Sequence, residues 1–221
     1  MIRQRVEDIA NHARFASIID QWERGEGLDR IEPLDAVSAL AWVGLNDDPP
    51  LVQEAPKRPQ LLRWASEPAI ASWFPRASRP NRLAASAGLL QILDFWGASH
   101  EAAQEADDLG ESSFSPYWHA IAHRREPDFG NAAYWFRRVG RHPVLTALAE
   151  AIPQSPGHLQ SQGFIKNGAF DPSAFAALCG LAIKDESARR FALDVQRMEM
   201  VLLLDATAKS LAINGGPGRD S

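Results

Sequence analysis

The hydrophobic residues of this chain recur at the spacing of α-helices, and this periodicity constrains the fold more than any other feature. Ala, Leu, Glu and Arg are found throughout, whereas the alternation of β-branched residues that is typical of half-buried strands is nowhere sustained. Pro33 and Pro172 suit first helical positions, and Gly140 suits a helix end. The pattern therefore predicts an all-α protein.

The same periodicity predicts where the helices lie. A first helix is expected over residues 3–24 and a long central helix over residues 81–107. Side-chain caps are expected from Ser115 and Asp171. Further helices are predicted at 33–45, 60–65, 68–74, 116–126, 129–139, 143–152, 172–183 and 186–212. We expect a single-domain, irregular helical bundle over residues 1–213 with a central αα-hairpin, followed by a flexible C-terminal tail at residues 214–221.

Length and charge limit the classes of function. A chain of 221 residues suits one domain, and its net charge of −5 disfavours a general nucleic-acid or anionic-membrane surface. No stretch is apolar for long enough to span a bilayer, and the N-terminal segment has no signal-peptide pattern. The single cysteine, Cys179, excludes an internal disulfide and is expected to be a buried, unreactive residue. We expect a soluble cytoplasmic protein that binds neither nucleic acid nor membranes, of undetermined oligomeric state.

Polar and reactive side chains concentrate in residues 117–143, which hold three of the six histidines and five arginines. On the predicted helix 116–126, His119, His123 and Glu126 are spaced i, i+4 and i+7 and therefore share one face. The apolar residues of this helix occupy the other side. We therefore expect the helix to bury its apolar flank and to expose the polar row.

The next predicted helix carries a second polar row. Asp128 is placed to cap it. The row consists of Asn131, Tyr134, Arg137 and Arg138. A tight turn between the two helices would bring the two rows together, and His100, on the predicted long helix, could complete a cluster with His119 and His123.

The segments DFWGASHEAAQ (94–104) and YWHAIAHRREPDFGNAAYWFRRVGRHP (117–143) resemble the signature of a family of uncharacterised bacterial and fungal proteins. That signature has the form W-H-x-I-x-H-R-R-E-x-D-x-x-N-A-x-Y-W-F-R-R-V-G-x-H-P. The resemblance is dense over these two segments, so it implies kinship. It implies no particular activity, because no function is established for that family.

A metal site is the first of three interpretations. His100, His119 and His123 would be imidazole ligands, with Glu126 or Asp128 as a carboxylate. A mixed nitrogen and oxygen shell suits a divalent ion such as zinc, iron or manganese. Such a site could activate water for hydrolysis, with Glu126 and Tyr134 as catalytic residues. An HxxxH pair alone is weakly specific, and it lacks the internal glutamate of HExxH.

Anion binding without a metal is the second interpretation. Five arginines form a basic island in an acidic chain, and guanidinium groups suit bidentate contacts to carboxylate or phosphate. Asp128, Asn131 and Tyr134 would help to orient a small anionic molecule, and one histidine could act as an acid or base. The island consists of Arg124, Arg125, Arg137, Arg138 and Arg141.

In the third interpretation these polar groups satisfy one another inside a non-catalytic helical interaction protein. Glu199, in an apolar setting in the last helix, is then expected to be a buried partner of the arginines. Residues 126–143 have features of a tetratricopeptide-like helix pair, but one weak echo at 167–180 is too little for a repeat array. Small-ligand or metal binding is favoured because so many reactive side chains converge, and whether the protein is an enzyme stays open.

Overall fold

The computed structural model describes residues 1–26, 31–152 and 163–213. Within these ranges the chain forms twelve α-helices and one small antiparallel hairpin, which confirms the predicted all-α class. The helices are α1 (Ile2–Glu7), α2 (His12–Glu23), α3 (Pro33–Asn46), α4 (Leu62–Ala65), α5 (Glu67–Trp73), α6 (Arg79–Ile92), α7 (Trp96–Asp108), α8 (Ser115–Arg125), α9 (Phe129–Val139), α10 (Pro143–Ala151), α11 (Pro172–Ala182) and α12 (Glu186–Ile213). The hairpin consists of β1 (Ile165–Lys166) and β2 (Ala169–Phe170).

One hydrophobic core joins both ends of the described chain, which confirms a single domain. The long helix α12 packs against α1, α3, α6, α10 and α11. The backbone amide of Ile2 donates to the carboxylate of Asp205, so the first and last helices are also linked by a hydrogen bond. Cys179 lies in this core as expected, and burial raises the pKa of its thiol to about 12. The predicted tail at 214–221 lies outside the described residues.

The first predicted helix is divided in two. Asp8 adopts an extended conformation between α1 and a short 3₁₀ turn at Ile9–Asn11 that leads into α2. Its carboxylate accepts a hydrogen bond from the amide of Ala10 at 2.9 Å. An aspartate that bonds to the backbone just after itself competes with helix continuation, and this competition explains the break.

The prediction of one long helix over residues 81–107 was wrong. The chain forms α6 and α7 instead, and it reverses at Asp94, whose φ is +65°. The carboxylate of Asp94 accepts from the amide of Glu54 at 3.0 Å and from the guanidinium of Arg125 at 2.7 Å. These long-range contacts hold a left-handed conformation that aspartate adopts at modest cost. The reversal packs α7 against both α6 and α8.

Carboxylate side chains cap the N-termini of α8, α9 and α11. Asp128 and Asp171 cap α9 and α11 as predicted. Ser115 was wrongly predicted to cap α8. Glu111 takes that role, because its carboxylate accepts the amides of Ser113, Phe114 and Ser115. The predicted αα-hairpin is present, since α8 and α9 pack against each other across a short turn.

Across the described ranges, no helix combines the length and the apolar character that crossing a bilayer requires.

Candidate metal centre

Helix α8 is buried on all sides. Every residue from Ser115 to Arg125 is buried, because α6, α7 and α9 pack around the helix. The expectation that this helix would expose its polar row was therefore wrong for His119 and His123, and it holds for Glu126. Burial of charged and polar groups is costly unless they have partners, so the partners of the α8 side chains decide what each one does.

Arg124 lies in the core beside the last helix. Its guanidinium is 2.6 Å from Oε2 of Glu199, and neither side chain is exposed to solvent. Tyr117 donates its hydroxyl to Oε1 of the same glutamate at 3.1 Å. The guanidinium also lies over the ring of Phe175, at 4.8 Å from its centroid. The predicted pairing of Glu199 with the arginines is confirmed.

All three guanidinium nitrogens of Arg125 donate to protein groups. Its guanidinium donates to Asp94 at 2.7 Å and to the carbonyl oxygens of Gln91 and Pro50, each at 2.9 Å. Arg124 and Arg125 were predicted to contact a ligand, and the structure corrects this expectation. Both side chains point into the core, where they join α8 to its neighbours.

The three histidines His100, His119 and His123 come together between α7 and α8. Nε2 of His119 lies 2.9 Å from Nε2 of His100. The ring centroids of His100 and His119 are 4.3 Å apart, and that of His123 is 4.9 Å from each of the others. Each residue offers a ring nitrogen within 4.8 Å of the other two. The predicted clustering of His100 with the HxxxH pair is therefore present. We call these residues the histidine cluster.

Two tryptophans form walls of the histidine cluster. Trp135 of α9 stacks on His119 with ring centroids 3.9 Å apart, and Trp96 of α7 stacks on His100 at 5.4 Å. Trp96 is itself held by a hydrogen bond from its indole nitrogen to the carbonyl of Ala122 at 2.8 Å. Stacking and packing restrict the orientations available to the imidazole rings, as a preorganised site requires.

The surroundings of His119 and His100 favour the neutral form of their imidazoles. Burial lowers the pKa of His119 to about 3, and the neighbouring His100 and His123 contribute to the shift. Burial also lowers the pKa of His100. Neutral imidazole is the form that binds metal ions. Nδ1 of His119 is buried and has no hydrogen-bond partner among the described residues.

Two carboxylates flank the histidine cluster and have different partners. Oε2 of Glu126 lies 3.1 Å from Nδ1 of His123, and its side chain is 37% exposed. Asp128 accepts from the amide and the side-chain nitrogen of Asn131, at 3.0 and 2.9 Å. These hydrogen bonds lower the pKa of Asp128. His123, Glu126 and Asp128 form a second group with metal-ligand spacing. Glu126 is the carboxylate that contacts the histidine cluster directly, whereas Asp128 and Asn131 bond to each other at the start of α9.

The remaining predicted site residues on α9 do not converge on one point. Tyr134 is 46% exposed and lies beside Trp135, with ring centroids 5.4 Å apart. Arg138 donates to Asp107 at 2.8 Å and lies over the ring of Trp135. Arg137 lines a separate cavity together with Arg141. The five arginines therefore do not share one site, because successive residues on a helix point in different directions.

Sequence reasoning missed the two tryptophan walls and the cavity. The tryptophans were assigned to general core packing, and spacing alone does not show which ring faces which histidine. The cavity is built from parts of α9, α10, α11 and the β1–β2 hairpin, which are separated along the chain. No local pattern in the sequence marks such a site.

The geometry defines an all-α, single-domain protein with a partly buried histidine cluster at the junction of two helices. Comparison with known proteins found no match to a protein-family model, a curated protein or a solved structure.

Proposed function

We propose that this protein binds one divalent transition-metal ion through His100, His119 and His123. The observation that carries this proposal is the convergence of three imidazoles whose ring nitrogens lie within 4.8 Å of one another. Imidazole nitrogen suits zinc, iron and other first-row ions. The proposed resident ion is zinc, iron or manganese, with zinc and iron favoured because all three ligands are nitrogen donors.

The distances support this proposal. Two nitrogens bound to one tetrahedral zinc, each about 2.0–2.1 Å from the ion, lie about 3.3 Å apart. The separation of 2.9 Å between Nε2 of His100 and Nε2 of His119 is close to this value.

The hydrogen bonding of the histidine cluster also supports a cation. Two neutral imidazoles that face each other through Nε2 can share only one proton. The buried Nδ1 of His119 has no partner among the described residues. Buried polar atoms normally have hydrogen-bond partners. If the histidine cluster were only a structural network, this nitrogen would remain without one. A cation bound between the two Nε2 atoms would use a lone pair from each, whereas a shared proton uses the lone pair of one.

Glu126 has the position of a residue that orients a metal ligand. Its carboxylate accepts a hydrogen bond from Nδ1–H of His123 when that imidazole is in the corresponding tautomer. This contact leaves Nε2 of His123 free for a metal ion. Carboxylate–histidine–metal arrangements of this kind are common, and they fix both the tautomer and the direction of the ring.

Hydrolysis is the reaction class that would follow from this site. Three protein ligands with one open position are typical of catalytic zinc centres, whereas structural centres are closed by four ligands. His100 and Glu126 are the members of the centre that solvent reaches. Esters and amides are therefore the first substrates to assay, with Glu126 as the residue that positions His123.

Metal analysis of the purified full-length chain tests this proposal. We expect one ion per chain after purification without chelators, and visible absorption bands of tetrahedral cobalt when Co²⁺ is added to the metal-free protein. His119→Ala should abolish both signals. His12→Ala is a matched control, because His12 lies on α2 outside the histidine cluster.

The proposal fails if the purified protein holds no metal and shows no saturable binding of Co²⁺ or Zn²⁺. It also fails if His119→Ala and His12→Ala reduce binding equally. Either result would leave the interaction-protein interpretation as the better account of the polar residues.

A further inference from the structure

A cavity of about 730 Å³ lies between the end of α9, the start of α10, the β1–β2 hairpin and the start of α11. Its lining includes the apolar side chains of Phe136, Leu145 and Phe170. Small-molecule sites typically enclose about 300–1,000 Å³ behind mostly apolar walls. None of the histidine cluster is among its lining residues, so this cavity is a second candidate site.

The charge of the cavity is positive. Arg137 and Arg141 line it, and both are exposed. Within the part of the chain that the structure describes, neither arginine has an ion-pair or hydrogen-bond partner, and no acidic side chain is among the lining residues. The other three arginines of residues 117–143 are paired with carboxylates. The cavity therefore carries two guanidinium groups that have no protein partner among the described residues.

The helix ends at this cavity are already capped. Nδ1 of His142 accepts from the amide of Val144 at 3.3 Å, and Asp171 accepts from the amides of Ser173 and Ala174 at 3.1 and 3.0 Å. Asp171 is also paired with Lys166. The free positive charge of the cavity consequently comes from the two arginine side chains and not from helix termini.

We propose that this cavity binds a small organic anion, in which a carboxylate or phosphate-monoester group is attached to an aromatic or aliphatic body. Arg137 and Arg141 contact the anionic group, because guanidinium groups donate paired hydrogen bonds to such oxygens. Phe136 and Phe170 pack against the apolar body. This proposal retains the anionic ligand that the sequence suggests but places it away from the histidine cluster.

Calorimetric titration of the full-length chain with four probes tests the chemistry of the ligand. The probes are phenylacetate, phenyl phosphate, inorganic phosphate and the neutral phenylacetamide. We expect saturable binding of phenylacetate or phenyl phosphate, with the tighter of the two identifying the head group. Phenylacetamide and inorganic phosphate should each bind at least about tenfold more weakly, because one lacks the charge and the other lacks the apolar body.

Variants locate the binding site. Arg137→Gln and Arg141→Gln should each weaken binding about tenfold or more, since a hydrogen bond to a charged group is lost. Both should leave the thermal stability of the free protein unchanged, because the arginines are exposed and lack protein partners among the described residues. Arg76→Gln is the matched control, because Arg76 is equally exposed and does not line the cavity.

The proposal is overturned if none of the probes binds, or if phenylacetamide binds as tightly as phenylacetate. It is also overturned if the two arginine variants bind like Arg76→Gln. Repeating the titration with His119→Ala separates this proposal from metal binding. Unchanged anion binding supports a separate site, whereas lost binding would show that the anion is held at the histidine cluster.

Discussion

Nε2 of His119 lies 2.9 Å from Nε2 of His100, and this contact joins two helices that follow one another in the chain. The contact depends on the reversal at Asp94, which packs α7 against α6 and α8. The third histidine, His123, lies beside this pair, with its ring centroid 4.9 Å from each of the other two.

Removing the carboxylate beside His123 should weaken metal binding without abolishing it. Glu126→Gln keeps a side chain of similar size but loses the charge that orients the imidazole. The expected loss of zinc affinity is about 10- to 100-fold. Competition titration with a chromogenic chelator measures it, and Glu186→Gln serves as the control because Glu186 is 86% exposed and lies at the start of α12. Equal affinities for the two variants would contradict the role given to Glu126.

The metal-free protein should lose stability in acid through the histidine cluster. The pKa of His119 is about 3 in the folded state, because burial disfavours the charged ring, against about 6.5 when unfolded. Below about pH 6.5 the unfolded chain therefore binds a proton that the folded chain does not. The free energy of unfolding is therefore unaffected by His119 above this pH, and it decreases as the pH falls toward 3.

Urea denaturation of the metal-free protein at several pH values checks this dependence. One proton bound only by the unfolded chain changes the free energy of unfolding by at most about 1.4 kcal/mol per pH unit. His119→Gln should flatten the dependence on pH, while His12→Gln should leave it unchanged. A wild-type stability that does not vary between about pH 7 and pH 5 would disprove the expectation.

Removing only one partner of the buried ion pair between Arg124 and Glu199 should strongly destabilise the protein. Glu199→Leu leaves an uncompensated guanidinium in the core and is expected to reduce the free energy of unfolding by about 3–5 kcal/mol. The double variant Arg124→Met, Glu199→Leu should recover most of this loss, because both charges are removed together.

Denaturant unfolding of the single and double variants measures this coupling. The surface pair Arg190 and Asp194, separated by 3.7 Å, provides the control. Asp194→Ala should change stability by less than about 1 kcal/mol. A double variant that is less stable than Glu199→Leu alone would show that Arg124 contributes through packing rather than through its charge.

The close approach of Gly88 to Trp118 should make this glycine intolerant of substitution. A Cβ atom at Gly88 would lie 2.6 Å from Cζ2 of the fully buried indole. Gly88→Ala is therefore expected to destabilise the protein by about 1–3 kcal/mol through overpacking.

Gly97 provides the matched substitution, because a Cβ there meets no atom within 4 Å. Gly97→Ala should be neutral or stabilising by up to about 1 kcal/mol, since alanine favours helices. Thermal unfolding of both variants distinguishes them. Similar melting temperatures for the two variants would contradict the packing seen at Trp118.

Local signals predicted much of the fold. Asp128 and Asp171 begin their helices where a capping carboxylate was expected, and Gly140 ends α9 with a φ of +58°. These features depend on a few neighbouring residues, so they can be predicted from spacing. The break at Asp94 could not, because the groups that stabilise it come from Glu54 and Arg125, distant along the chain.

The sequence alone determined the class of fold, the αα-hairpin and the histidine pair on one face of α8, because helical periodicity and capping are local. It also indicated Glu199 as a partner for buried arginine, since a lone carboxylate in an apolar helix needs a counter-charge. Only the tertiary structure decided which face of α8 meets which neighbour. Packing on every side of that helix placed Arg124 and Arg125 in the core, gathered the histidine cluster, and left Arg137 and Arg141 at a separate cavity. Side-chain partners across a core depend on how whole helices pack, and spacing along one helix does not contain that information.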